Sequence, residues 1–191
     1  LFISEKKDSI LFENPDNREL FLKTYRRIDS LGLLSTKVEG DYEAKYQVFH
    51  DNFPFICNQS FHDIGRLYFK DESDPFQSSI DTELAAKEMF PLLVKTHFKE
   101  YISLYYTSVM HGFYSVFIFI FFVLVCIYSG LKCLKKFTFE YGILFFGSLL
   151  ILSNALIVAV AVHTIMRYVF YNFAMAFIIL FLLSKKATSS K

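Results

Sequence analysis

The chain has 191 residues, 53% of them apolar and 19% aromatic, with 24 Phe and no Trp. Its formal charge of +1 hides a split: residues 1–108 hold 13 basic and 18 acidic side chains, and the remainder holds seven basic ones against Glu140 alone. An acidic half joined to a basic, apolar half is a membrane signature, and it gives no reason to expect a nucleic-acid partner.

The chain opens at Leu1 with no basic n-region and no apolar h-region, so no signal peptide is read. A soluble segment ahead of membrane spans, without a targeting signal, is expected of a piece cut from a longer protein. A trimmed or incomplete reading frame would look the same.

Residues 1–108 are expected to be helical and loop-rich. "ENPDNRELFLKTYRRIDSLGLL" offers a cap at Asp16 or Asn17, an apolar face of Leu20, Phe21, Tyr25 and Ile28, and a stop at Gly32. "DYEAKYQVFHDNFPFICNQSFHD" has irregularly spaced aromatics around Pro54 and reads as loop or short strand. "DESDPFQSSID", 71–81, reads as a polar hinge, with Ser78 and Asp81 as a capping-box pattern. In "TELAAKEMFPLLVKTHFKEYISLYYTSVMHGF", Ala85, Met89, Leu92 and Leu93 form an apolar stripe, and Pro91 should kink or restart the helix. Residues 79–108, rich in Tyr toward their end, are read as a helix lying at the membrane surface and bending into the first span near Gly112.

Three transmembrane helices are predicted within 109–186. Residues 109–131 carry no formal charge over about 23 residues, enough to cross a hydrocarbon core of about 30 Å. Residues 137–162 form the second span. Glu140 lies in its first turn, where a carboxylate suits the helix N-terminus, and Gly142, Gly147, Ser148, Ser153 and Ala155 permit close packing. Asn154 is its one strongly polar side chain, read first as a helix–helix hydrogen bond. Residues 163–183 form the third span if Arg167 snorkels outward, with a tight turn around His163–Arg167. Residues 184–191 are a short basic tail.

"KCLKK" between spans one and two and "SKKATSSK" after span three orient the chain. Both should be cytoplasmic, which leaves residues 1–108 outside, in the periplasm for a bacterial inner membrane. Cys57 and Cys133 then lie on opposite sides and cannot bridge. No spacing among Cys57, Cys126, Cys133 and the histidines suggests zinc, so all three cysteines are read as unpaired.

Chemistry is sparse. No phosphate-binding loop, dinucleotide fingerprint, HExxH or GxSxG motif occurs. His62-Asp63 could be a base with its orienter, and Asp71, Glu72 and Asp74 a weak cation site, but a neighbour pair pointing apart and a solvated hinge explain them more simply. No catalytic residue, metal ligand or cofactor is assigned. Arg167 is the only formal charge between Glu140 and Lys185. Two roles stay open for it: an interfacial anchor, or a planar guanidinium that binds a lipid phosphate or pyrophosphate.

The segment "VKTHFKEYISLYYTSVMHGF" entering a span, with His97-Phe98-Lys99-Glu100-Tyr101 where a His-Pro-x-x-Tyr pattern is usual, and the pair Arg167-Tyr168 at the outer start of a late span, resemble bacterial polytopic glycosyltransferases of the dolichyl-phosphate-mannose-protein mannosyltransferase type. The likeness covers roughly residues 80–185, and Phe98 departs from the usual Pro. It implies an integral membrane enzyme that takes a sugar from a polyprenyl-phosphate donor on the outer face, with this chain as its C-terminal part. The catalytic carboxylate, and any divalent metal assisting it, would lie in an N-terminal transmembrane region missing here, so this chain would not turn over alone. The resemblance further implies that Arg167 holds the lipid phosphate, with His163 and Tyr168 lining the same pocket. The competing expectation is non-enzymatic: an extracytoplasmic partner-binding domain anchored by the three spans.

Overall fold

A computed structural model describes residues 1–70, 74, 76–161 and 166–189. Among them every regular element is helical, and the chain divides into two compact units, Leu1–Leu104 and Tyr105–Lys191. The mainly α architecture, with three long apolar helices at the C-terminal end, is the one the sequence predicts.

The first unit begins with a 3₁₀ turn, Lys6–Leu11, followed by α1, Pro15–Ser30. Asn14, not Asp16 or Asn17, caps α1: its side chain accepts from the Asp16 N–H at 2.9 Å, and Pro15 takes the first helical position, where its missing donor costs nothing. The helix stops at Ser30, and Gly32 adopts φ +70°, the left-handed conformation the stop requires. Leu20, Phe21 and Ile28 are fully buried, as the periodicity predicts, each contributing about 1.5–3 kcal/mol.

The stretch read as loop or strand is helical instead. α2, Tyr42–Asp51, is capped by Asp41, which accepts from the N–H groups of Glu43 and Ala44. A π-helix follows at Pro54–His62, then α3, Asp63–Tyr68. α4 runs Gln77–Thr96 with Pro91 inside it, so the restart comes at His97 and not at the proline. Ser78 is buried in the first turn of α4, not at the N-cap position expected of it, and Phe76 is the N-cap, without a side-chain bond. Of the apolar stripe, Ala85, Met89 and Leu93 are buried against Phe12, Leu20, Phe21 and Phe61, and Leu92 is exposed. α4 also carries a second apolar row, Phe76, Ile80, Leu84 and Phe90, that is exposed. Residues 71–73 and 75 of the polar hinge lie outside the described residues.

α5, Phe98–Phe113, runs across the boundary between the units. It ends at Tyr114, the one non-glycine residue with positive φ (+58°) among those described, and Ser115 caps α6, Val116–Lys135. α7 is Phe139–Ala159 and α8 is Met166–Ser189. Each contains a stretch long and apolar enough to cross a membrane, yet only 17%, 39% and 11% of those stretches are buried inside the protein. Apolar surface left bare on that scale calls for lipid as its solvent. α7 is the central helix, packed between α6 and α8. The buried hydroxyls of Ser129 and Ser148 donate to the carbonyls of Val125 and Leu144, as a polar group deep in hydrocarbon must.

Candidate functional site

Packing of α7 against α8 sets the geometry of the bundle ends. Glu140 meets Lys185 at 3.3 Å, Gly147 faces Met175, and Asn154 Nδ2 donates to Asn172 Oδ1 at 3.2 Å. Fourteen residues forward along α7 correspond to thirteen back along α8, the register of an antiparallel pair. Gly147 makes the approach possible: a Cβ there would lie 2.9 Å from the Met175 sulfur. Asn154 therefore has the helix–helix bond expected of it, and its partner is Asn172. Near the same end of α7, the Tyr105 hydroxyl donates to the Leu156 carbonyl at 3.1 Å, joining α5 to the bundle.

Arg167 and Tyr168 fall in the first turn of α8. Eighteen residues separate Arg167 from Lys185 along one continuous helix, about 27 Å at 1.5 Å per residue, close to the thickness of a hydrocarbon core. By backbone position, Arg167 and the lysines thus stand at opposite ends of the bundle. His163, and with it the turn expected at 163–167 up to Ile165, lies outside the described residues. The first turn of a helix carries partial positive charge from its unpaired N–H groups, so a cation there is disfavoured unless an anion joins it.

The remaining candidates separate. His62 Nδ1 lies 3.3 Å from Glu83, while Asp63 pairs with Arg66, so the neighbours form no base–orienter pair. Asp74 accepts from the Phe76 N–H at 2.9 Å; Asp71 and Glu72 lie outside the described residues. Among the described residues no three His, Cys, Asp or Glu side chains are grouped to hold a metal ion. The cysteines are free, and burial pushes the half-buried Cys57 thiol up to about 11.

One pairing was invisible in the sequence. His97, at the joint between α4 and α5, places Nε2 2.6 Å from Asp8 Oδ2; the same carboxylate oxygen accepts the Glu5 N–H at 2.7 Å. Both side chains are buried. The pair clamps the N-terminal turn to the end of α4 across 89 residues of sequence. No local pattern announces such a bond: Asp8 stands between Lys7 and Ser9, and His97 between Thr96 and Phe98.

A helical unit continued by three apolar helices of bilayer length defines a membrane protein class. No protein-family model, curated protein or solved structure matches the chain.

Proposed function

We propose that the chain is the C-terminal membrane part of a transferase that takes a sugar from a polyprenyl-phosphate donor at the outer face of a bacterial inner membrane. Its share of the work is to hold the donor's phosphate. The bond chemistry belongs to a carboxylate in an N-terminal transmembrane region outside this sequence. The observation that carries this reading is the position of Arg167 in the first turn of α8, one bilayer thickness from Lys185. A guanidinium fork and the N-terminal end of a helix both favour a phosphate, and the fork offers two parallel donors to its oxygens. The resemblance adds Tyr168 and His163 as residue types able to donate to the same phosphate. The likeness to mannosyltransferases of the dolichyl-phosphate type supports the choice of a lipid-linked sugar. Lysines at 132–136 and 185–186 support a cytoplasmic lysine end and an outer Leu1–Leu104 unit.

The test is donor turnover in membranes containing the full-length protein. Arg167→Ala should lower it more than Arg167→Lys, because an ammonium keeps the charge and loses the fork. Near-normal turnover of both variants would reduce Arg167 to an anchor.

A second reading is favoured by the exposed row Phe76, Ile80, Leu84 and Phe90 on α4: an anchored outer domain that binds a partner. Leu84→Lys with Phe90→Lys should leave donor turnover intact under the first reading and abolish partner capture under the second.

A further inference from the structure

The opposite end of the bundle collects five lysines from two helix C-termini. Lys132, Lys135 and Lys136 close α6, and Lys185 and Lys186 lie in the last turns of α8. One carboxylate serves them: Glu140, in the first turn of α7, takes Lys185 at 3.3 Å. Among the described residues the other four have no carboxylate partner. Two are held over aromatic faces, Lys186 at 3.3 Å from the Tyr141 ring centre and Lys132 at 5.6 Å from that of Tyr128. Those rings pack edge-on with centres 6.2 Å apart, so adjacent rings carry like charges side by side. Repulsion between them is relieved by an anion. The surface around the lysines is apolar: Leu134 and Phe139 are exposed at the ends of α6 and α7. A cluster of cations over tyrosine rings, ringed by bare hydrocarbon, suits a ligand with an anionic head and apolar tails.

We propose that this end of the bundle binds the headgroup phosphate of an acidic phospholipid, with Lys132 and Lys186 as its main cations and Tyr128 and Tyr141 as the floor beneath them. Free phosphate would satisfy the charges and leave the apolar surround unused. The carbonyl ends of α6 and α8 retain lysines here in any case, so the test must read lipid and not stability.

The chain has no Trp, so a single introduced one reports alone. Tyr128→Trp keeps a ring beneath Lys132. The full chain is reconstituted in bilayers of mixed phosphatidylcholine and phosphatidylglycerol, with one or the other brominated, and quenching gives the relative affinity of the two lipids at that position. Phosphatidylglycerol should be preferred at least about fivefold at low salt, the scale of one lysine near a lipid surface. The preference should fall toward one with Lys132→Gln and Lys186→Gln together, and persist with Lys132→Arg and Lys186→Arg. A Trp at Phe117, exposed in the first turn of α6, far from Lys132 and with α7 between it and α8, should report a ratio near one. A ratio near one at position 128, an unchanged ratio in the glutamine variant, or an equal preference at position 117 would overturn the proposal.

Discussion

Truncating His97 to Ala should loosen the whole Leu1–Leu104 unit. Asp8 is 3% exposed and His97 9%, so the lost partner cannot be replaced readily by bulk water. A hydrogen bond to an ionised group contributes about 1.5–3 kcal/mol, and leaving one member of a buried pair alone costs about 3–5 kcal/mol. Asp8 keeps the Glu5 N–H in the variant, which moderates the penalty. We expect a loss of about 2–4 kcal/mol for His97→Ala. For Asp8→Asn, whose amide oxygen can still accept from Glu5, the expected loss is about 1–2 kcal/mol. The double variant should lose less than the sum of the two, by about 1–3 kcal/mol. The assay is alkylation of Cys57 across a urea series in the full chain, with Cys126→Ala and Cys133→Ala to silence the other thiols. Cys57 is half-buried in the π-helix of the same unit, so its slow reaction reports opening. Losses within about 0.5 kcal/mol of zero, or strict additivity, would refute the clamp.

Three further outcomes follow from single residues. Cys57 alkylation in the folded chain should rise close to tenfold per pH unit from pH 7 to 9 without levelling, because the thiol is pushed up to about 11; a plateau by pH 9 would contradict this. Thr24 is fully buried, and its Oγ1 has no hydrogen-bond partner among the described residues, so Thr24→Val should be neutral or stabilising by up to about 1 kcal/mol in urea unfolding. Gly147→Ile should drive α8 from α7 and cost about 1–3 kcal/mol, read as earlier heat-induced loss of helicity in micelles. Gly147→Ala should cost less, since the Met175 thioether can swing aside.

The spans were legible because lipid-facing helices are apolar all round, and hydropathy does not depend on tertiary partners. Their boundaries were less so. The first span was expected to begin at 109, but the helix through that point is α5; the break is at Tyr114–Ser115, where a left-handed residue and a serine cap interrupt a run without formal charge. The stretch 41–63 was misread because its apolar spacing follows two periods. In the π-helix the Asp63 N–H bonds to the Asn58 carbonyl five residues back, and Ile56, Ser60 and Phe61 are the buried positions, a spacing wider than an α-helix gives. The α4 stripe was found, but periodicity does not say whether lipid or protein covers it; Phe12, Leu20, Phe21 and Phe61 do. Of the candidate site, sequence supplied Arg167 and Tyr168 and their helix. It could not supply Asp8 for His97, or Asn172 for Asn154, because those bonds join distant elements.

The proposed topology puts the Leu1–Leu104 unit outside and the α6–α7 link in the cytoplasm, on opposite sides of a bilayer. The direct measurement is labelling with a membrane-impermeant thiol reagent in sealed cells. It compares Cys133 alone with a cysteine introduced at the exposed Glu39, the remaining thiols being replaced by Ala. The account predicts that Glu39→Cys labels at once and that Cys133 labels only after permeabilisation. Equal labelling of both positions in sealed cells would contradict it.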